Sequence, residues 1–316
     1  MNEDRSILAA FRKARKAGVG AALATVVKVT GSSYRRPGAK MLITADGEIS
    51  GSVSGGCLER DLIRRAHWAI DRSEPQMIRY DSRIDGDEVE PAREIQTPGP
   101  GCGGVIEVFV NPAPDEHLAS LERAHRERRR IAFPIVLPGG ESYLDILSPP
   151  VSLILFGAGQ DAVAAARIAQ EIGWQTRVVN CRSSLPLPRP LFGEVDAFLS
   201  CDPDQILERV EIRPGSIAFV MTHNYEHDRA ILRQIVVRPV RYIGLLGPRA
   251  RSERLLAEIA EERIPIPTDL IHFPMGLDIG GETPQAIALS ALAEALAVLS
   301  GRKGGFLRER PGPIHG

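Results

Sequence analysis

SLILFGAGQDA, residues 152–162, decides the fold of this chain. Its first five residues are short, apolar and β-prone, the pattern of a strand buried on both faces. Gly157-Ala158-Gly159 then allows a tight turn, and Gln160-Asp161-Ala162 opens a helical pattern. In this strand–turn–helix setting G-x-G-x-x-A brings backbone close to a phosphate at a helix N-terminus, where N–H groups and the dipole favour anions. Further apolar runs fall at 175–180, 197–201, 217–222 and 242–246, with helical patterns between most of them. That alternation predicts βαβ units, hence a doubly wound Rossmann-like parallel sheet over residues 151–300. Its last helix starts at Thr283-Pro284, an N-cap followed by proline at the first helical position. The Gly-, Pro- and Arg-rich tail, residues 301–316, is expected to be disordered.

Upstream the pattern changes. A helix over 5–17, a strand over 19–29, a hairpin about Ala45-Asp46-Gly47, a helix over 58–71 and strands at 76–81 and 105–110 predict a smaller N-terminal α+β domain, residues 1–111. The polar segment 82–101 reads as a long surface loop. Residues 112–150 read as a connector with one charged helix, broken by Pro134, Pro138, Pro149 and Pro150. The fold class is therefore α/β, a C-terminal doubly wound sheet joined to an α+β domain.

Composition narrows the function. At 316 residues the chain can bury two cores. Its net charge of −1 implies no nucleic-acid or anionic-membrane partner. No apolar stretch approaches the ~18 residues of a membrane span. The charged start, MNEDRSILAAFRKARKAG, lacks the apolar core of a secretory signal, so a cytoplasmic location is expected. Four cysteines without a C-x-x-C pair argue against a zinc knuckle, and a reducing compartment argues against disulfides.

Two of those cysteines stand out. Gly55-Gly56-Cys57 runs directly into a helix, and Cys102 lies in Gly101-Cys102-Gly103-Gly104. A thiol at a helix N-terminus favours the thiolate, which is both a nucleophile and a soft metal ligand. Arg35-Arg36-Pro37-Gly38 can fork onto a phosphate, although alone it reads equally well as a solvated turn. Gly157, Asn180, Asp202, His223 and Gly247 all end predicted strands, the edge that holds the ligand crevice in open α/β sheets. His223 reads either as functional or as a satisfied structural histidine, and Arg249 as a phosphate ligand. Asn180 stands where a dinucleotide site needs an acid for the ribose, which weakens an NAD reading. Cys181 and Cys201 read as small buried hydrophobes.

Taken together, GSSYRRPGAKMLI, ADGEISGSVSGGCLE, PGCGGVIEVFV, LILFGAGQDA, MTHNYEHD, YIGLLGPR and GLDIGGETPQAIALS resemble the XdhC/CoxI family up to about Ser300. The family comprises accessory factors of molybdenum hydroxylases such as xanthine dehydrogenase. The resemblance implies a carrier for the molybdenum cofactor, as molybdopterin or its cytosine dinucleotide form. It implies support of sulfuration by a cysteine desulfurase and insertion into the hydroxylase apo-enzyme. Cys57 and Cys102 match the family's GGC and GCGG cysteines and would be the metal ligands. Gly157 and Gly159 match its glycine turn, and His223 with Asp228 its TH…D motif. The sequence departs from the common pattern at Tyr34, Ser54, Asn180 and Pro248. The cofactor-binding candidates are Arg35, Arg36, Gly55, Gly56, Cys57, Cys102, Gly157, Gly159, Asn180, His223 and Arg249. A cleft between the domains would shield so labile a guest, and a homo-oligomer is expected. No catalytic residue is assigned. The runner-up is an NAD(P)-dependent oxidoreductase with His223 as acid/base, and the third reading is a protein-interaction scaffold.

Overall fold

Ser152–Phe156 forms β9, a fully buried strand at the middle of a six-stranded sheet. The computed structural model describes residues 3–81, 95–98, 104–181 and 187–311, with the backbone path alone at 95–98. The chain divides at Pro149/Pro150 into two units.

In the second unit β9 is flanked by β10 (Gln175–Asn180) and β11 (Ala197–Ser200) on one side. On the other lie β12 (Ile217–Val220), β13 (Tyr242–Leu245) and β14 (Ile271–His272). The order is β11-β10-β9-β12-β13-β14 and every pairing is parallel. Counted within the unit this is 3-2-1-4-5-6, the doubly wound order, with its switch point between β9 and β12. Both faces are covered, which is why the strands read as unbroken apolar runs. Leu153 and Leu155 face a layer built on α4 (Gln160–Glu171) and α8 (Pro284–Leu299). Ile154 and Phe156 face the opposite layer, with α6 (Tyr225–Ile235) and α7 (Arg249–Glu261). The short α5 (Ile206–Arg209) completes that layer. Five buried alanines let α4 approach the sheet and α8 closely. Thr283 caps α8 as expected, its side chain accepting from the Ala286 N–H.

The first unit holds a sheet in the order β3-β2-β1-β6-β4-β5. These strands are β1 (Ala21–Thr30), β2 (Lys40–Thr44), β3 (Ile49–Gly51), β4 (Gln76–Asp81), β5 (Ile95–Pro98) and β6 (Val105–Asn111). All pairs are antiparallel except β4 with β5. The period-2 rule sorts β1. Ala22, Ala24 and Val26 face α2 (Glu59–Arg72), while Ala21 and Leu23 face α1 (Glu3–Lys16) and α3 (Asp115–Glu127).

Three stretches differ from the sequence reading. Part of the expected loop 82–101 is strand β5, and the remainder lies outside the described residues. Residues 112–149 carry α3 and a hairpin of β7 (Ile131–Val136) and β8 (Ser142–Leu147), whose Ile131 and Leu147 enter the first unit's core. Pro134 sits inside β7 opposite Leu144, because a two-stranded ribbon has edges that need no N–H donor. The tail has described structure as far as Pro311, including a 3₁₀ turn at Leu307–Glu309, and residues 312–316 lie outside the described set.

Candidate functional site

In the first unit the turn before α2 is built by Ser54 and Glu59. Ser54 is buried, and its Oγ accepts from the N–H groups of Gly56 (3.1 Å) and Leu58 (3.3 Å). The Cys57 thiol also points at this oxygen, with Sγ 3.4 Å away. Ser54 Oγ donates to Glu59 Oε2 at 2.5 Å, and Glu59 accepts from the Ser54 and Leu58 N–H groups at 3.1 Å each. The turn thus satisfies several of its own amides. What it presents outward is Gly55, Gly56 and Cys57, all exposed, with Gly56 at φ +113°.

The arginine loop lies against this turn. A Cβ added at Gly55 would sit 3.8 Å from the Tyr34 ring. Glu3 of α1 ties both segments down, pairing with Arg35 and accepting from Ser52 Oγ at 3.3 Å. Arg35 is therefore held by a carboxylate, while Arg36 is exposed at the loop surface. Gly104 approaches the same loop so closely that a Cβ there would meet the Ser32 carbonyl oxygen at 2.1 Å. Three of the segments singled out from sequence therefore meet in one unit: 31–38, 54–58 and the end of the GCGG run. Cys102 itself lies outside the described residues.

In the second unit the predicted groups collect at the carboxyl ends of the strands. Gly157, at φ +137°, passes so close to the strand β12 extension that a Cβ would lie 2.4 Å from the Met221 carbonyl oxygen. No side chain fits there, and this is what demands glycine. Gly159 is the N-cap of α4. Its nearest neighbour is the His223 ring, with a built Cβ 3.8 Å from Cδ2. His223 itself adopts φ +58°, a conformation uncommon for a non-glycine residue. Its Nε2 lies 3.0 Å from Asp161 Oδ2 in the first turn of α4.

Beneath this surface pair runs a buried one. Asp228 accepts from Thr222 Oγ1 (2.6 Å) and from the Thr222 N–H (3.2 Å), and it pairs with Arg251 at 2.7 Å. The TH…D motif is thus a device that fixes the loop carrying His223. Asn180 is buried at the end of β10. Arg249 is exposed, with its guanidinium 5.7 Å from the Phe273 ring centroid. Cys181 is buried as the sequence suggested, and burial pushes its thiol up to about 12; Cys201 is only half-buried, unlike the expectation, although burial raises its thiol as well. Among the described residues no three His, Cys, Asp or Glu side chains group to hold a metal ion, and no helix is long and apolar enough to cross a membrane.

Sequence reasoning missed Glu3, Ser54, Glu59, Asp161 and Arg251. Asp161 stood inside the quoted glycine motif, and its place in the first helical turn was the signal. The Glu3 and Arg251 contacts join residues far apart in sequence and leave no local mark.

The fold is that of a two-unit α/β protein whose second unit is of the Rossmann type. Residues 14–81 match the model of the XdhC and CoxI family, and residues 153–295 match that of the XdhC Rossmann domain. The chain is 30% identical to a probable xanthine dehydrogenase subunit of Bacillus subtilis (strain 168), over 87% of this chain and 92% of that one. It is 24% identical to the molybdenum cofactor insertion chaperone PaoD of Escherichia coli (strain K12), over 94% and 89% of the two chains. A crystal structure described as a xanthine dehydrogenase from Bacillus halodurans superposes with a TM-score of 0.80 at 27% identity, over 97% and 98% of the two chains. This chain belongs to the XdhC/CoxI family.

Proposed function

We propose that this chain is an accessory factor of a xanthine dehydrogenase-type molybdenum hydroxylase, carrying molybdenum cofactor as cargo to the apo-enzyme. One observation carries the reading: an exposed thiol, Cys57, on a turn where three family motifs meet. Its likeness to a cofactor insertion chaperone points the same way. A thiolate suits the molybdenum–sulfur end of the cargo, as ligand or as sulfur relay. Exposed Arg36 in the first unit and exposed Arg249 in the Rossmann unit are each of the residue type that forks onto a phosphate. Gly157, Gly159 and His223 form the anion-facing edge of the Rossmann unit. Cys102, Gly55, Gly56, Arg35 and Asn180 complete the proposed set, with Arg35 serving through its bond to Glu3. A cysteine desulfurase is the proposed sulfur donor, and the cytoplasm the proposed site of action.

The NAD(P) oxidoreductase reading gains nothing from the geometry. β10 ends on a buried amide, Asn180, where an NAD site needs an acid for the adenosine ribose.

The test is to purify the chain anaerobically from cells that make molybdenum cofactor, then assay molybdenum and released pterin. Near-stoichiometric amounts of both are expected, with cytidine nucleotide release identifying the dinucleotide form. Cys57→Ala lowers retention if the thiolate is a ligand. It leaves retention intact and blocks sulfuration if the thiolate is a relay. Absence of both metal and pterin from the wild-type chain would overturn the proposal.

A further inference from the structure

Helix α8 is apolar almost all the way round. Apart from Pro284, Gln285, Ser290 and Glu294, its residues are all Ala, Ile, Leu or Val. One side, Ala288, Ala291, Leu292 and Ala295, is buried in the core of the Rossmann unit. Ser290 and Glu294 bond the preceding loop, Ser290 Oγ to the Leu277 carbonyl and Glu294 to the Gly276 N–H. A third side is uncovered among the described residues: Leu289 is 50% exposed and Leu296 47%. A helix apolar on every side is normally buried on every side, so this stripe is unfinished in the single chain.

The stripe has a definite spacing. Ala286, Leu289, Ala293, Leu296 and Ser300 follow one another at intervals of three and four, the seam of a two-helix coiled coil. Small residues alternate with leucines, so a two-fold antiparallel pairing about Ala293 sets Ala293 on its own copy and Leu289 beside Leu296 of the other copy. The ends of the helix carry opposite charge. Exposed Asp278 and Glu282 precede the N-cap, whereas Arg302 closes the C-terminal turn through its N–H to the Ala297 carbonyl and exposed Lys303 follows. A parallel pairing of two copies would set acid on acid and base on base. An antiparallel pairing about Ala293 sets acid on base at both ends and opposes the helix dipoles.

We infer that α8 is the dimer seam of this protein, pairing antiparallel with α8 of a second copy through Leu289, Ala293 and Leu296. The occupant is a second copy because one sequence supplies both halves of the charge match, which a two-fold axis requires. Exposed Ile279, Phe306 and Leu307, just outside the two ends, add apolar area to a contact that the helices alone leave small.

Sedimentation of the full chain at about 50 µM tests this, because a dimer's population depends on concentration. The wild-type chain should sediment as a dimer. Leu289→Glu and Leu296→Glu, at half-exposed positions that spare the core, should sediment as monomers with unchanged circular dichroism. Glu282→Lys alone should weaken association several-fold, and Glu282→Lys with Lys303→Glu should restore it. A monomeric wild type, or a dimer indifferent to both glutamates, overturns the seam. A dimer lost in both glutamate variants but equally weakened in the charge-swapped double variant overturns the antiparallel arrangement.

Discussion

His223 Nε2 lies 3.0 Å from Asp161 Oδ2, so the loop after β12 is fastened to the first turn of α4 across the switch point of the sheet. The contact gathers opposite tendencies in one place: helix N–H groups that attract an anion, a carboxylate that repels one, and an imidazole that can answer either. Removing the carboxylate shifts that balance. Asp161→Asn is expected to tighten binding of a phosphate-bearing probe such as ADP about two- to fivefold, the size of one helix-terminus charge interaction. Isothermal titration of the two proteins reads it directly, and equal or weaker binding by the substituted protein would disprove the electrostatic reading.

The two glycines of the turn should behave differently. Gly157→Ala drives a Cβ into the Met221 carbonyl at positive φ and is expected to cost about 1–3 kcal/mol or more. Gly159→Ala meets only the His223 ring at ordinary contact distance and should leave stability within about 0.5 kcal/mol. Chemical denaturation of both variants checks the contrast.

Asp228 is a structural anchor for the loop that holds His223. Asp228→Ala strands the partly buried Arg251 and removes the acceptor of the buried Thr222 N–H, so a loss of about 3–5 kcal/mol is expected. If thermal denaturation shows Asp228→Ala to be as stable as wild type, the anchoring role fails.

In the first unit Asp145 of β8 is buried between Lys40 (2.8 Å) and His117 (2.7 Å). Burial alone would raise this carboxyl, but the bonds from His117 and Lys40 outweigh it and hold the group below the usual carboxylate range. The stability it adds is therefore complete above the ordinary carboxyl pKa of about 4 and is lost as pH falls through its lowered folded value. Wild-type melting temperature should thus drop more steeply below about pH 4 than that of Asp145→Asn, which starts lower by leaving Lys40 unpaired. Parallel slopes for the two proteins would contradict this.

Ser54 is the buried hinge of the turn that carries Cys57. Its hydroxyl binds the Gly56 and Leu58 N–H groups, so Ser54→Ala should cost about 0.5–2 kcal/mol, the worth of a helix-start cap. Denaturant titration reads the loss, and no change would mean Glu59 alone suffices.

The Rossmann unit was legible because its strands are buried on both sides and read as unbroken apolar runs. Thr283-Pro284 marked the start of α8 by local chemistry alone. β14 was not legible, since two residues carry no period, and Pro134 disguised β7 as a break. The site divides the same way. Cys57, Gly157 and His223 announced themselves through residue type and neighbours. Their partners did not, because Glu3 reaches Arg35 over 32 positions and Asp161 reaches His223 over 62. Ser54 and Glu59 were close enough in sequence to read, yet neither residue type stands out beside the glycines and the thiol between them.

Glu294 has an unexpected role in the Rossmann unit. Its one carboxylate takes the Tyr242 hydroxyl at 2.6 Å, the His272 Nδ1 at 3.0 Å and the Gly276 N–H at 2.6 Å. Two strands and a glycine loop are thereby tethered to a single side chain on a helix. The stiffness of the Gly276–Thr283 loop is thus governed from a residue well outside it, and a slackening introduced at 294 would surface as faster amide exchange in the loop.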